Sequence, residues 1–243
     1  MMEAVLQDSA EALNKILEDA SPRQIIIEAL NSVPTGRLAV VSSFGTESAA
    51  VLKLVADVDR SIPVLFLDTG WHFTETLAYR DQLVEVLGLT NVRTCEAPHT
   101  AIAKQDPDGD LWFRDPDACC ALRKVAPLAN ALQNLDAWIT GRKRFHGAER
   151  AALPIVEKDG PRLKFNPLAN TSAEELKRMF ESFNLPPHPL VAQGFPSVGC
   201  MPCTSRATPG EAPRSGRWRG RAKTECGIHR PGFAPEVTVV PNC

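Results

Sequence analysis

The chain has 243 residues, a net charge of -2, 44% hydrophobic residues and 23% charged residues. These values are ordinary for a globular protein, and the near-neutral charge gives no reason to expect a nucleic-acid or membrane-surface partner. No apolar run approaches the roughly 18 residues of a membrane span. The first ten residues are acidic and lack the basic-then-apolar pattern of a signal peptide, so we expect a cytoplasmic protein.

Two helices are predicted at the start of the chain. The first is amphipathic and covers residues 3–19, and the second begins at Ser21-Pro22, where serine can cap the helix and proline suits its first turn. The sequence indicates no role for them beyond packing or subunit contact in a possible homo-oligomer.

Short apolar runs then alternate with helical patterns. The runs are 38–41, 64–67, 91–95 and 137–139, and the helical stretches are 46–57, 73–87 and 118–133. This alternation predicts an α/β fold with a mainly parallel sheet and helices on both faces. A hairpin turn is expected at Asp159-Gly160, and a capping box over residues 171–174 should start a helix ending near residue 183.

Proline and glycine become dense after residue 184, and no periodicity survives there. We therefore predict one domain over residues 1–243. N-terminal helices reach to about residue 35, an α/β core covers 36–183, and an irregular tail covers 184–243.

Three of the predicted strands end in polar, glycine-containing turns. These turns contain Ser42, Ser43 and Gly45 after the first strand, Asp68 and Thr69 after Leu67 of the second, and Gly141, Arg142 and Arg144 after the fourth. In open α/β sheets, ligands bind outside the carboxyl ends of the strands. Neither a Walker A lysine motif nor GxGxxG is present. The three turns together favour a nucleotide pocket with arginines that neutralise phosphate.

The tail is basic. Between Thr204 and Arg230 there are seven basic residues against two acidic ones, a net charge of +5 within a protein of charge -2. Such a segment creates a local field for an anionic ligand. Within this segment, we predict that Arg214 and Arg217 contact the anionic ligand.

Five cysteines suggest a division of labour. Cys119-Cys120 and the pair Cys200 and Cys203 supply four thiolates, which can hold zinc or an iron–sulfur cluster. Adjacent residues of a helix do not share a face, so Cys119 and Cys120 need either strained local geometry or a large cluster with separate metal atoms. Lys124, four residues after Cys120, could offset the charge of that cluster.

Cys226 lies outside this set of four. His229 follows it by three residues, and Lys223 and Arg230 are near in sequence. Cationic neighbours favour the thiolate, which is the nucleophilic form of cysteine. We therefore predict Cys226 as a nucleophile on a glycine-flexible segment. Cys95 is expected to be a small buried residue, and no role is assigned to Cys243.

These motifs together resemble the assimilatory adenylyl-sulfate reductases, within the wider phosphoadenylyl-sulfate reductase family. The resemblance covers about residues 38–230, and its motifs are SSFG at 42–45, LDTG at 67–70, CC at 119–120, TGR at 140–142, CMPC at 200–203 and ECGIH at 225–229. It implies an adenine-nucleotide α-hydrolase-like fold and a [4Fe-4S] cluster on the four paired cysteines. It also implies Cys226 as nucleophile and thioredoxin as electron donor, and His229 would assist on the phosphate or sulfate side of the ligand.

Three other functions stay open at this stage. A reductase of the same fold could use the 3′-phosphorylated substrate. Family members that lack the cluster cysteines generally prefer that substrate, and this chain has all four. An iron–sulfur tRNA-thiolating enzyme would normally carry an SGGxDS loop, from which residues 42–48 depart. A zinc-stabilised nucleotide-binding module without catalysis is the third, and an absorption spectrum would distinguish zinc from iron–sulfur.

Overall fold

The computed structural model of this chain describes residues 2–229. Its strands are β1 Leu38–Ser42, β2 Val64–Asp68, β3 Val92–Glu96, β4 Ala137–Ile139, β5 Val156–Asp159 and β6 Arg162–Phe165. In the described part of the chain they form one six-stranded sheet in the order β3-β2-β1-β4-β6-β5. Neighbours pair in parallel except β5 and β6, which are antiparallel at one edge. The predicted mainly parallel α/β sheet is confirmed.

The α-helices are α1 Met2–Ile16, α2 Pro22–Asn31, α3 Ser48–Val58, α4 Thr74–Leu87, α5 His99–Gln105, α6 Leu111–Arg114, α7 Pro116–Cys120, α8 Ala126–Ala131 and α9 Ala173–Ser182. A π-helical turn, Ala121–Val125, joins α7 to α8. No helix among residues 2–229 has the length and hydropathy needed to cross a membrane.

The predicted capping box and hairpin turn each lie one residue before the observed ones. Helix α9 is capped by Ser172 with Glu175, because the amide of Thr171 is already used in the preceding turn. The hairpin loop is Gly160-Pro161, since Asp159 still pairs with Arg162. In both cases two adjacent residues are suited to the same role, so the sequence allows the cap or the turn at either of two neighbouring positions.

Alternate residues of the central strand face two different cores. Leu38 and Val40 pack into the larger cluster with residues of α2 and α3, whereas Ala39 packs into a second cluster with Leu128 and Trp138. All five residues are nearly or fully buried. Burial on both faces explains why this strand reads as a continuous apolar run rather than as an alternating one.

Helix α1 covers the antiparallel edge of the sheet. The side chain of Asn14 donates to the carbonyl of Val156 at 2.7 Å and accepts from its amide at 3.0 Å. One amide side chain thus satisfies both backbone groups at the exposed edge of β5. The first helix therefore has a packing function, since a free edge strand invites association with other chains.

The strand order places a topological switch point between β1 and β4. From β1 the chain continues outwards through β2 and β3, then returns to place β4 on the other side of β1. The turns that follow these two strands diverge in opposite directions, and a crevice opens between them. The fold therefore predicts a ligand site at the turns after Ser42 and Ile139.

Candidate active site

A cleft of about 1130 Å³, counted to its open mouth, lies at this switch point. Its walls come from the turns after β1 and β4 and from the tail. The sequence-predicted residues that line it are Ser42, Ser43, Gly45, Leu67, Lys124, Gly141, Arg142, Arg214, Arg217, Cys226 and His229. The structure thus brings the strand-end motifs, the basic tail and the lone cysteine into one cleft.

Asp68 and Thr69, the two predicted residues that follow Leu67, do not line the cleft. Asp68 accepts a hydrogen bond from the amide of Gly70 at 2.9 Å and so closes its own turn. The hydroxyl of Thr69 lies 3.3 Å from the sulfur of Cys200. Strand β2 stands one position away from the switch point, so its end reaches the cleft only through Leu67.

Arg144 was predicted beside the ligand, and the structure places it elsewhere. Its Nε donates to the carbonyl of Leu153 at 2.6 Å, and its Nη1 donates to Asn170. The side chain is exposed, while Arg142 and Lys143 line the cleft. Among three consecutive basic residues, the sequence does not indicate which ones point inwards.

The turn after β1 is strained and offers backbone amides. Phe44 has φ 46, an uncommon value for a bulky residue, and its amide donates to the Ser42 hydroxyl at 3.2 Å. The ring of Phe44 is fully buried, and its centroid lies 5.5 Å from that of the Phe66 ring. This packing holds the backbone conformation of Phe44. The N-terminus of α3 follows without a side-chain cap, which leaves amides for an anion.

A partly buried ion pair joins the two turns across the cleft. Lys143 Nζ lies 2.7 Å from Glu47, and His146 Nε2 lies 3.1 Å from the same carboxylate. Burial acts to raise the pKa of Glu47, but the hydrogen bond from His146 and the charge of Lys143 outweigh it and hold the pKa at about 2. Glu47 is therefore an anion that fixes the two turns relative to each other.

A polar network lies behind Arg142. Glu157 accepts hydrogen bonds from Arg142 and from Asn166, and Lys164 Nζ is 3.3 Å from it. Burial lowers the pKa of Arg142, and Glu157 partly offsets that effect. The carboxylate thus orients a buried guanidinium whose Nε has no hydrogen-bond partner among the described residues.

His229 stacks on the sheet. Its ring lies parallel to that of Trp138, with 5.7 Å between centroids. Burial first, and then the charges of Arg142, Lys164 and Arg150, hold its pKa well below 6.5. His229 is therefore a neutral imidazole, and its Nδ1 has no hydrogen-bond partner in residues 2–229.

The segment that carries Cys226 is tied to the cleft by its neighbours. Cys226 itself is partly buried and lines the cleft. Glu225 accepts from Arg150 Nε at 2.7 Å and from Nη2 at 3.0 Å. Gly227 follows with φ 88, so the chain turns sharply after the thiol. A nucleophile placed this way can reach a ligand in the cleft.

The four paired cysteines line a second, smaller cavity. Cys119, Cys120, Cys200 and Cys203 all face it. Cys119 and Cys120 are both buried at the end of α7. Burial raises the pKa of Cys119 to about 12 and that of Cys120 to about 11. Uncharged thiols are thus favoured unless a positive centre binds them.

A π-helical turn follows the two adjacent cysteines, while Cys120 itself has ordinary helical dihedrals, φ -67 and ψ -37. The amide of Ala126 donates to the carbonyl of Ala121, five residues earlier. Pro127 has no amide hydrogen, so the usual bond to the carbonyl of Arg123 is missing. Such bulges occur frequently at functional sites. The helix predicted over 118–133 is therefore interrupted at the point where its cysteines and Lys124 lie.

Lys124 lines both cavities. Burial acts to lower its pKa, but the sulfurs of Cys200, Cys226 and Cys120 outweigh burial and raise it. For Cys200, burial acts to raise the pKa, while Lys124 and the Thr69 hydroxyl lower it below the ordinary value. One ammonium group thus stands between the lone thiol and the four paired ones.

No group of three or more His, Cys, Asp or Glu side chains that could hold a metal ion is found in the part of the chain that the structure describes. Cys95 is fully buried in β3, as expected. Arg230 and Cys243 lie outside the described residues.

Several residues that line the cleft were not assigned as ligand contacts from the sequence: Glu47, His72, Lys143, His146 and Arg150. His72 Nε2 donates to the carbonyl of Leu67 at 3.0 Å, and its ring packs on Phe66. Arg150 and His146 were detectable only as basic residues following β4. The direction of their side chains depends on the 3₁₀ turns Arg144–His146 and Ala148–Arg150, and these turns have no clear sequence signature.

Residues 37–206 match the family model described as phosphoadenosine phosphosulfate reductase domain. The adenosine 5'-phosphosulfate reductase of Mesorhizobium japonicum is 46% identical over 94% of this chain and 90% of its own. The adenosine 5'-phosphosulfate reductase of Chelativorans sp. is 50% identical over 82% of this chain and 81% of its own. A phosphoadenosine 5'-phosphosulfate reductase of Gloeobacter violaceus is 39% identical over 92% and 94%.

Solved structures agree on the fold. The phosphoadenylyl-sulfate (PAPS) reductase of Candida auris, a phosphate complex, has a TM-score of 0.69 and 25% identity, over 82% of this chain and 97% of its own. The FMN adenylyltransferase of Candida glabrata has a TM-score of 0.54 over 79% and 63%. At 14% identity the second shows the fold alone. The expected adenine-nucleotide α-hydrolase-like fold is confirmed.

Proposed function

We propose, because the chain belongs to the phosphoadenosine phosphosulfate reductase domain family, that it is an oxidoreductase which reduces adenylyl sulfate to sulfite and AMP in sulfate assimilation. The observation that carries this is the position of Cys226. Cys226 does not line the four-cysteine cavity but lines a basic cleft at the switch point of the sheet. Thioredoxin is the proposed electron donor, in a reducing compartment such as the cytoplasm.

The cleft has unsatisfied donors for an anionic nucleotide. Arg142 Nε, Arg217 Nε and His229 Nδ1 are buried without hydrogen-bond partners among the described residues. Leaving buried donors unpaired costs free energy, which a bound phosphate or sulfate would recover. We assign the nucleotide to the side of the cleft formed by Ser42 and Gly45, and the sulfate to the side near Cys226.

The first step transfers a sulfo group. The Cys226 thiolate attacks the sulfate sulfur, the bond from sulfur to the phosphate oxygen breaks, and AMP leaves with the electron pair of that bond. Cys226 then carries an S-sulfo group. The buried guanidinium groups of Arg142 and Arg217 offset the charge on the leaving phosphate, and neutral His229 donates a hydrogen bond to it.

The second step releases sulfite. A thioredoxin thiolate attacks the sulfur of Cys226, the bond to the sulfo group breaks, and sulfite leaves with the electron pair. The second thioredoxin thiol then resolves the mixed disulfide and regenerates the Cys226 thiolate. Sulfur gains two electrons, and the thioredoxin dithiol becomes a disulfide.

The second cavity suits a [4Fe-4S] cluster. Four thiols and no other titratable acid line it, and a cluster gives each thiolate its own iron, so the sulfurs need not converge on one point. Cys119, Cys120, Cys200 and Cys203 would hold it, and Lys124 would offset its negative charge. When bound, it supplies a charged structural centre near the sulfate end of the cleft.

Arg142→Ala is expected to weaken the binding of both AMP and adenylyl sulfate. Loss of a buried charge-assisted contact should cost about 2–4 kcal/mol, a rise in Kd of roughly 30- to 700-fold. The loss should depend on salt concentration, because the contact is ionic. Isothermal titration calorimetry at two ionic strengths measures it.

Arg144→Ala is the matched control for this change. It removes the same side chain two residues away, where the guanidinium bonds to Leu153 and Asn170 instead of facing the cleft. Its Kd should stay within about threefold of the parent value. Equal effects of the two substitutions would place the nucleotide elsewhere.

Adenylyl sulfate is expected to be a far better substrate than its 3′-phosphorylated form. All four cluster cysteines are present, and Lys124 couples their cavity to the sulfate end of the cleft. The comparison must use kcat/KM with thioredoxin present, because that ratio measures discrimination between transition states. An equal or higher kcat/KM for the 3′-phosphorylated form would favour a reductase of the 3′-phosphorylated substrate instead. The Gloeobacter violaceus relative is named as such an enzyme.

A further inference from the structure

The residue before Cys226 carries the main ionic contact between the tail and the cleft. Glu225 is 9% exposed, and its two carboxylate oxygens accept from Arg150 at 2.7 and 3.0 Å. Arg214 Nη2 is 3.3 Å from the same carboxylate. A bidentate ion pair of this kind fixes the orientation of the two side chains as well as the distance between them, which a single point charge cannot do.

The preceding residues are held from other sides. Lys223 forms an ion pair with Asp117, in the helix that ends with the paired cysteines. Thr224 donates to Glu149 at 3.1 Å, and its carbonyl accepts from Arg214 at 2.9 Å. The tail is therefore anchored to α7 on one side and to the turn after β4 on the other.

Cys226 has little independent anchoring. On its far side Gly227 has φ 88, a conformation that other residues rarely adopt, and a side chain there would meet Val125 at 3.6 Å. After the glycine turn, Ile228 packs against the second core cluster and His229 stacks on Trp138. The direction of the thiol is therefore set by Glu225 before it and by the glycine turn and these two side chains after it.

We propose that Glu225 is a positioning residue, whose ion pair with Arg150 holds Cys226 over the cleft. The inference rests on the proposed role of Cys226 as nucleophile. It assigns Arg150 a part in orienting the thiol in addition to lining the cleft. A competing explanation is that Glu225 only occupies a place that substrate phosphate later takes.

The test measures the alkylation of Cys226 by iodoacetamide in substrate-free protein, with the Cys226 peptide quantified by mass spectrometry. Both Glu225→Gln and Arg150→Gln should release the segment and speed alkylation about tenfold, as local opening becomes easier. A pure charge effect on the thiol would move the two variants in opposite directions, because one loses a negative charge and the other a positive one.

Glu211→Gln is the matched control in the same tail. Glu211 pairs with Arg219 at 2.7 Å, but that pair is exposed and neither residue lines the cleft. Its alkylation rate should equal that of the parent protein. If Glu225→Gln does not fold, Glu225→Asp, which is too short to keep both contacts with Arg150, gives the same test.

Turnover supplies the second readout. Glu225→Gln should lower kcat about 100-fold, as expected for a misplaced nucleophile, while the Kd for AMP stays within about threefold. Tighter AMP binding with unchanged kcat would overturn the proposal in favour of simple competition. Unchanged or oppositely changed alkylation in the two variants would overturn it as well. Failure of the proposed function is a separate result, since it would appear as turnover by Cys226→Ser.

Discussion

Cys226→Ser is expected to abolish sulfite production while leaving the binding of adenylyl sulfate nearly intact. A serine hydroxyl is a far weaker nucleophile than a thiolate, and loss of an essential nucleophile costs several orders of magnitude in rate. Cys226 lines the cleft but belongs to neither pair of the second cavity, so the absorption spectrum should not change. Sulfite release with thioredoxin and the Kd for adenylyl sulfate measure the two effects separately.

A label on the substrate sulfate makes this test sharper. Parent protein without thioredoxin should stop after the first step and retain the label on Cys226. Cys226→Ser should retain none, because no sulfur remains there to accept the sulfo group. Appreciable turnover by the variant, or label on another cysteine, would contradict the assignment of Cys226.

The order of strands and helices was predictable because burial on both faces of a parallel sheet leaves continuous apolar runs. The runs at 38–41 and 64–67 are such cases, and each strand extends one residue beyond its run. The short helices His99–Gln105 and Leu111–Arg114 escaped prediction. They are too short for a periodic pattern, and α6 depends on Asp106, which accepts from the amide of Leu111 at 2.9 Å.

The candidate site was predictable where chemistry follows a strand end, and less so where direction depends on loops. Ser42 and Arg142 follow the two strands that flank the switch point, so the topology brings them together. Arg144 was misplaced and Lys143 was missed, because a run of three basic residues carries no sign of which side chain faces inwards. The pair of Glu225 with Arg150 joins residues 75 positions apart, and only tertiary structure reveals it.

The adjacent cysteines show how a sequence can pose a structural problem without solving it. Two neighbours on a regular helix point in different directions, yet Cys119 and Cys120 face one cavity. The π-helical turn that follows them contains Lys124 and changes the helical phase there. Pro127 is the visible cause, because it deprives the turn of one regular hydrogen bond.

Cys120→Ser is expected to remove most of the bound iron and the colour of the freshly purified protein. It should also lower Tm by several degrees. Each of the four cysteines is proposed to supply one thiolate, and metal binding is coupled to folding. At this chain length a loss of 1 kcal/mol shifts Tm by about 2–4 °C. Iron analysis, the visible spectrum and calorimetry of protein prepared without oxygen measure the three effects.

Cys95→Ser is the matched control, because Cys95 is also a buried thiol but lines neither cavity. It should retain full iron and colour, so that any loss of stability in it reflects burial of a hydroxyl alone. Cys119→Ser, Cys200→Ser and Cys203→Ser should behave as Cys120→Ser does. Full iron in Cys120→Ser would mean that the pair and the CxxC motif do not bind one cluster. A colourless parent protein that contains zinc would mean instead that the second cavity is a structural zinc site.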